Sequence, residues 1–371
     1  MSPPVSAFSF SPARRETVLS LPRMISRLRA LVVLGLAAFG LIAAAAPANA
    51  DYKGVIVMDA ASGSVLFEDR ADVVTPPASV TNLMTFLLVA DRLADGSLKL
   101  ETPVTVALED AQMGGTQVWL EKGEVFTVDE LLYALMIQSA NDVASSLSRI
   151  VAGSREAFVA KMNERARGLG MTNTTFRTPH GLPPANRNVQ QGDLTSPRDL
   201  ALLSRELLLK TDILRYTSTK QHVFGAEGGK RAEPVIMRNH NGLLGKVTGV
   251  DGLKTGFTNS AGFCLASTAQ RDGRRIIVVM MGSSASKSRD LQVAALIEKY
   301  FPQIPAGSIF KQSPIARAHL APAASESPIA TSPIAPGHSA AASSPVATPP
   351  APPADEAPSI RFVLPPKKKG Q

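Results

Sequence analysis

The sequence has a single cysteine, Cys264, which excludes a disulfide within one chain. Cys264 lies in the apolar strand pattern Gly262–Ala266, where we expect a small buried residue. The five histidines show no metal-ligand spacing, and the sequence has no H-E-x-x-H segment. It also has no G-x-S-x-G segment, the usual signal of an α/β-hydrolase. We therefore expect neither a metal site nor a cofactor.

Positive charge is concentrated at the two ends, although the whole chain carries +8. Residues 1–50 hold five arginines and one glutamate, and residues 303–371 hold six basic and three acidic residues. The body, residues 51–302, keeps a net charge of only about +1. A nucleic-acid partner is therefore not indicated.

Residues 1–50 have the layout of a secretory signal peptide. Two arginines precede the apolar run 30–46, and small residues follow at 48–50. We predict cleavage after Ala50, a mature chain from Asp51, and export to the periplasm or elsewhere outside the cytoplasm. The apolar run is short for a membrane-spanning helix, which argues against an uncleaved anchor. Translation could start at Met1 or Met24.

Residues 303–371 are predicted to form a disordered tail. Proline, alanine and serine dominate from Ser313 onward, and such a composition buries too little apolar surface to offset the entropy of ordering. The terminal lysines 367–369 either touch an anionic surface weakly or simply solubilise the end. No amphipathic anchoring helix follows the body, since Ser359–Leu364 is too short. We expect no membrane anchor after signal cleavage.

The body reads as strands, then helices, then strands, which predicts an α+β fold with an antiparallel sheet formed by both of its ends. Thr127 and Glu130 form a capping box that opens a helix through about Ile137. Asp272-Gly273 marks a hairpin between two late strands. Strands are expected at 55–58, 65–67, 249–257, 263–269 and 274–281, and helices at 79–94, 142–151, 154–169, 197–210 and 288–300.

Ser79 opens the most apolar helix of the body. Pro76 and Pro77 fix an extended entry, and the run Leu83–Ala90 is almost wholly apolar, as in a buried helix. A serine at such an N-terminus lies where free N–H groups stabilise negative charge, which suits a nucleophile. The simpler interpretation is that Ser79 is only a helix N-cap.

Two further segments carry candidate site residues. Gln138–Asp142, which contains Ser139 and Asn141, falls at a break between two helices. Val250–Thr258 contains Lys254 and Thr255 near the end of a strand, and Gly256 would let a substrate approach the backbone closely. Taken alone, Lys254 is equally well explained as an exposed charge that protects an edge strand.

In combination the three segments resemble the S-x-x-K, S-x-N and K-T-G elements of the penicillin-recognising serine enzymes. More narrowly, residues 51 to about 302 resemble the D-alanyl-D-alanine carboxypeptidases, the low-molecular-mass penicillin-binding proteins. The resemblance also includes Pro179–Leu182 and Asn239–Leu244. It implies a β-lactamase/transpeptidase-like fold, with helices on a five-stranded antiparallel sheet plus an all-helical subdomain. It also implies removal of the terminal D-alanine from peptidoglycan stem peptides, with β-lactams as further ligands.

The resemblance implies a role for each matching residue. Ser79 would form the acyl-enzyme, Ser139 would relay a proton to the leaving amine, and Asn141 would bind the substrate amide. Lys254 would supply positive potential and Thr255 would contact the substrate, while the N–H groups of Ser79 and Phe257 would form the oxyanion hole. Arg289 falls where the family binds the terminal carboxylate, although it could equally be a solvated charge at a helix start.

Asn82 departs from the pattern, because the family has a lysine three residues after the nucleophile. A lysine there can be neutral and accept the serine proton. An asparagine amide only hydrogen-bonds, so loss of the base predicts acylation slower by about 10²–10⁴-fold. The change could be artificial, could mark a degenerate binder, or could accompany a different base such as Lys254.

Two functions from different classes remain open. One is an exported serine D,D-carboxypeptidase, favoured by Ser79, Ser139, Asn141 and Lys254. The other is a catalytically impaired binder of peptidoglycan stems and penicillin, favoured by Asn82. A β-lactamase is less favoured, because no deacylating glutamate element is evident. The sequence leaves open the stem-peptide length, the role of the tail and the oligomeric state.

Overall fold

A computed structural model describes residues 51–226 and 230–312. The predicted signal peptide, and the predicted tail beyond Gln312, lie outside this part of the chain. Among the residues described, no helix combines the length and apolar character needed to cross a bilayer.

Nine strands are described in these two ranges. They are β1 (Gly54–Asp59), β2 (Val65–Asp69), β3 (Pro103–Thr105), β4 (Val125–Thr127), β5 (Gln221–Phe224), β6 (Val235–Arg238), β7 (Val250–Thr258), β8 (Gly262–Arg271) and β9 (Arg274–Ser283). Five of them form one antiparallel sheet in the order β2-β1-β9-β8-β7, whereas β3-β4 and β5-β6 are separate hairpins.

The five-stranded sheet joins the beginning and the end of the body. β1 pairs with β9 along its whole length, from Gly54 opposite Met281 to Asp59 opposite Ile276. Asp272 and Gly273 both have positive φ, 48° and 74°, as a two-residue type I′ hairpin requires. The predicted α+β fold, with a five-stranded antiparallel sheet flanked by helices, is confirmed.

Eight α-helices accompany the described strands. They are α1 (Asn82–Ala94), α2 (Leu108–Ala111), α3 (Val128–Tyr133), α4 (Asn141–Ala152), α5 (Arg155–Gly168), α6 (Pro197–Lys210), α7 (Leu214–Thr217) and α8 (Ser286–Tyr300). Thr127 accepts a hydrogen bond from the N–H of Glu130, so the predicted cap of α3 is confirmed. α3 gives way to a π-helix at Ala134–Gln138, a change that apolar spacing does not reveal.

The sheet has an apolar core on each face because alternate side chains of a strand point to opposite sides. Ile56 and Met58 of β1 belong to the larger core, which includes most of α1 and the buried faces of α4 and α6. Val55 and Val57 belong to the smaller core, under α8. α1 is thereby enclosed between the sheet and other helices.

Residues 303–312 pack against the body, although composition assigns them to the tail. Ile304 is 1 % exposed. The N–H of Phe310 donates to the carbonyl of Gly273 at 2.8 Å, and the Arg275 guanidinium lies over the Phe310 ring. The ordered chain therefore continues past the predicted boundary at residue 302.

Candidate active site

Ser79 lies in a tight turn that leads into α1. Residues Ala78–Thr81 form a 3-10 helix, and α1 itself begins at Asn82. Thr81 occupies the N-cap position of α1, and the Ser79 hydroxyl forms no hydrogen bond with any residue that the structure describes. The interpretation of Ser79 as an ordinary N-cap is therefore wrong, and its hydroxyl is available for chemistry.

The turn that carries Ser79 is pressed against the edge strand β7 at Gly256. A Cβ atom on Gly256 would lie 2.6 Å from the carbonyl oxygen of Pro77 and 3.0 Å from the backbone nitrogen of Ser79. We expected the missing side chain to admit substrate, but the space is filled by the turn. Gly256 therefore sets how closely Ser79 approaches β7.

Asn82, the first residue of α1, is fully buried three residues after Ser79. Its Nδ2 atom donates to the carbonyl of Leu135 and to the Oγ atom of Ser139, both at 3.3 Å. Its Oδ1 atom has no hydrogen-bond partner among the residues described. A buried acceptor without a partner costs about 1–3 kcal/mol. The donor of the Asn82 amide is therefore paired, while its acceptor carries this cost.

Ser139 and Lys254 are in direct contact. Ser139 follows the π-helix in a left-handed conformation, with φ of 67°, which turns its side chain toward β7. Lys254 Nζ lies 2.9 Å from Ser139 Oγ and donates to the carbonyl of Thr255 at 2.9 Å. The expected role of Lys254 as an exposed edge charge is wrong: β7 is an edge strand, but this side chain is 2 % exposed.

The surroundings of Lys254 disfavour its charged form. Burial, and then the positive charge of Arg289, lower its pKa from 10.5 to about 7. His240 lies in the same region, and burial together with Lys254 and Arg289 lowers its pKa to about 4. A substantial fraction of Lys254 is therefore neutral near pH 7, and His240 is neutral there.

Asn141 is the first residue of α4 and is held by the preceding loop. Its Nδ2 atom donates to the carbonyl of Gly114 at 2.8 Å, and its backbone N–H donates to the carbonyl of Thr116 at 2.8 Å. Its buried Oδ1 atom has no partner among the residues described. This leaves an acceptor for an N–H group, but Asn141 is not among the residues that line the cleft described below, so its contact with a substrate amide stays a prediction.

Arg289, in the first turn of α8, is buried rather than solvated. It is 4 % exposed, its Nη2 atom contacts Asp290 Oδ1 at 2.7 Å, and its Nη1 atom donates to the carbonyl of Cys264 at 3.3 Å. The interpretation of Arg289 as a solvated charge is therefore wrong.

One open cleft of about 270 Å³ brings most of these residues together. It is lined by Ser79, Thr116, Ser139, His240, Thr255, Gly256, Phe257, Phe263, Ser286 and Arg289. Asn82 and Lys254 lie behind this lining, in contact with Ser139. Sequence reasoning assigned no role to Thr116, His240, Phe263 or Ser286. His240 falls in the quoted Asn239–Leu244 segment, and Ser286 lies three residues before Arg289 on α8, whereas Thr116 and Phe263 carry no local signal.

Comparison with known proteins matches the sequence to one family. The family model for D-alanyl-D-alanine carboxypeptidase, peptidase S11, matches residues 42–285. The chain is 34 % identical to carboxypeptidase DacF of Bacillus subtilis over 261 residues, 70 % of this chain and 65 % of that protein. It is also 34 % identical to DacC of Escherichia coli over 248 residues, 65 % of this chain and 59 % of that protein. The chain thus matches less than two thirds of the length of these relatives.

Solved structures share the fold. The carboxypeptidase DacD from Francisella tularensis gives a TM-score of 0.62 at 28 % identity, covering 67 % of this chain and 70 % of that one. Penicillin-binding protein D2 from Listeria monocytogenes, in an ampicillin-bound form, gives a TM-score of 0.59 at 29 % identity. That match covers 68 % of this chain and 97 % of that one. On its sequence and its fold, this chain belongs to the D-alanyl-D-alanine carboxypeptidase family.

Proposed function

We propose that the chain is an exported serine-type carboxypeptidase that removes the terminal D-alanine of peptidoglycan stem peptides through an acyl-enzyme on Ser79. The observation that carries this proposal is the convergence of Ser79, Ser139 and Arg289 on one cleft, with Lys254 in contact with Ser139. A free hydroxyl, a proton path and a buried cation for a carboxylate are what this reaction needs.

Binding would place the substrate's terminal carboxylate at Arg289 and its scissile carbonyl at Ser79. The N–H groups of Ser79 and Phe257 would hold the oxygen of that carbonyl as it becomes negative. The unpartnered Oδ1 atom of Asn141 would accept the N–H group of the substrate amide. β-Lactams, which present a carboxylate beside a strained amide, fit the same positions.

Lys254 would replace the missing lysine as the base. Its neutral amine takes the proton of Ser139 while Ser139 Oγ takes the proton of Ser79, whose oxygen bonds to the carbonyl carbon. Collapse of the intermediate breaks the C–N bond, and the proton returns through Ser139 to the amine of the leaving D-alanine. A water molecule then attacks the ester by the same relay and frees Ser79. Asn82 takes no part in proton transfer, because its amide only hydrogen-bonds.

The test is intact-mass measurement of the protein with benzylpenicillin, beside the variants Asn82→Lys and Ser79→Ala. A stoichiometric adduct on the unaltered protein, absent in Ser79→Ala, is the expected result. The Asn82→Lys variant should react faster by about 10²-fold or more, because a second base then contacts Ser139. No adduct in either the unaltered protein or Asn82→Lys would refute the assignment of the site.

A catalytically impaired binder is the second candidate, and the orphaned Oδ1 atom of Asn82 favours it. The amide lies where the family has a basic nitrogen and leaves one acceptor unsatisfied. An adduct seen only with Asn82→Lys would establish this alternative, since the cleft would then be intact but lack a base.

Export is the part of the proposal that rests on residues 1–50. The basic, apolar and small-residue segments in that order support cleavage after Ala50. Mass spectrometry of the protein recovered from outside the cytoplasm should give Asp51 as the first residue. Recovery of the uncleaved chain in the cytoplasm would contradict this proposal.

A further inference from the structure

Trp119 is a bulky residue in a strained and exposed position. It is the one tryptophan of the sequence, it is 62 % exposed, and its φ is 55°. A large side chain at positive φ is an outlier. Such strain persists where the surrounding structure over-determines the backbone, and it is concentrated at ligand-binding sites.

The backbone of Trp119 is held from two directions. The N–H groups of Val118 and Leu120 donate to Asp142 Oδ2 at 3.2 and 3.0 Å. The guanidinium of Arg231 donates to the carbonyls of Val118 and Trp119 at 2.6 and 2.9 Å. The side chains of Val118 and Leu120 are buried, so the peptide is fixed while the indole ring faces outward.

The support of Trp119 is continuous with the catalytic cleft. Thr116 lines that cleft and accepts the backbone N–H of Asn141, the residue just before Asp142. The first turn of α4 therefore holds both Asn141, the proposed contact of the substrate amide, and the loop that presents Trp119. Trp119 follows Thr116 by three residues, so the ring is carried by the same loop that borders the cleft.

The ring also lines an open groove of about 720 Å³ beside segments Val118–Glu124 and Lys230–Val235. The cations of this groove are already paired, Arg231 with Glu124 at 2.7 Å and Lys230 with Glu130 at 3.1 Å. The exposed side chains of Glu121 and Glu233 also line the groove. Their carboxylates accept hydrogen bonds from hydroxyl and N–H groups and repel anions, which suits a neutral, hydroxyl-rich ligand more than an anionic or wholly apolar one.

We propose that Trp119 is a stacking platform for a sugar ring of the glycan strand that carries the stem peptide. The C–H groups of a pyranose face are weakly positive and pack on the negative face of an indole, while its hydroxyl and acetamido groups hydrogen-bond to the groove. The choice of glycan rests on the proposed function. The contact itself does not require turnover, so the proposed glycan contact and the proposed enzymatic function can be refuted separately.

Because Trp119 is the one tryptophan, its fluorescence reports directly on the ring. The full-length protein is titrated with soluble glycan strands of alternating N-acetylglucosamine and N-acetylmuramic acid that carry no peptide and whose lactyl carboxyl groups are amidated, so that the probe is neutral. We expect a saturable change in emission, and a much smaller change with a sugar-free peptide ending in D-alanyl-D-alanine. No saturable change with glycan strands, or equal changes with both ligands, would overturn the proposal.

A variant tests the energetic contribution of the ring. Trp119→Ala should weaken calorimetric binding of a disaccharide-linked stem peptide by about five-fold or more, while binding of the sugar-free peptide stays unchanged. Leu291→Ala is the matched control, because Leu291 is 64 % exposed on α8. Unchanged affinity for the disaccharide-linked peptide in Trp119→Ala would refute the role of the ring, whatever the outcome with benzylpenicillin.

Discussion

Lys254 and Asn82 are two buried side chains that contact the same hydroxyl group but differ in their ability to accept a proton. Both contact Ser139 Oγ, from 2.9 Å and 3.3 Å, but only the amine can take up a proton. In the described part of the chain Lys254 forms no ion pair with a carboxylate, and its charged neighbour Arg289 repels it. A lone buried cation is costly, and the neutral form that relieves this cost is also the form that can accept a proton.

The rate of acylation by benzylpenicillin should follow the titration of Lys254. Because the pKa of Lys254 is lowered to about 7, the neutral base is scarce below that pH and abundant above it. We expect the acylation rate to rise through about pH 7 and level off above it. Quenched-flow mass spectrometry at a series of pH values on both sides of 7 measures the acylation rate. Lys254→Arg should lose the reaction, whereas a rate independent of pH would argue against Lys254 as the base.

Lys254 should also make stability depend on pH. Its folded pKa of about 7 lies below its ordinary value of 10.5, so the unfolded chain binds more protons between these values. The free energy of unfolding should therefore rise with pH across this window. Thermal melting of the unaltered protein and of Lys254→Met measures this effect. As pH rises from 7 to 10.5, the Tm of the unaltered protein should increase relative to that of the variant. A constant difference would contradict it.

At the scale of elements, the site depends on the contact between the Ser79 turn and β7. Gly256 should not tolerate a side chain, since a Cβ atom would meet Pro77 and Ser79. Gly256→Ala is expected to slow acylation by about 10²-fold, because a misplaced nucleophile loses its approach geometry, and to destabilise the protein by about 1–3 kcal/mol.

The matched control is Gly168→Ala at the end of α5, where a new Cβ atom would meet nothing within 4 Å. It should leave acylation unchanged and keep or slightly raise stability, because alanine favours a helix over glycine. Equal effects of the two substitutions on acylation would show that the fit at Gly256 is not what positions Ser79.

Elements with strong local signals were predictable from the sequence. α6 begins at Pro197 and ends at Lys210 as expected, and the Asp272-Gly273 turn has the expected conformation. Weak signals failed: β5 and β6 are short and half-exposed, and a long connection separates them. The site was predictable only in its motif residues. The burial of Lys254, the cleft position of His240 and the support of Trp119 depend on packing between distant segments.

At the scale of the whole molecule, residues 303–312 should contribute to stability. Ile304 is buried and Phe310 packs under Arg275 on the end of the sheet. A chain ending after residue 302 should melt several degrees below one ending after residue 312, because it exposes this apolar surface. Differential scanning calorimetry of the two chains measures the effect. Equal Tm values would mean that the segment is bound too weakly to matter.

The pairing of β1 with β9 has a consequence for the order of folding. β1 ends at Asp59, but its partner begins only at Arg274, and the edge strand β7 is joined to β1 only through β8 and β9. Contacts between such distant segments make folding slow, because a long loop must close before they form. A nascent chain therefore has no complete sheet until β9 has been synthesised, and it stays open during most of its synthesis. For the proposed export, that delay would leave the chain unfolded for passage through a narrow channel, and the cleft around Ser79 forms only at the end.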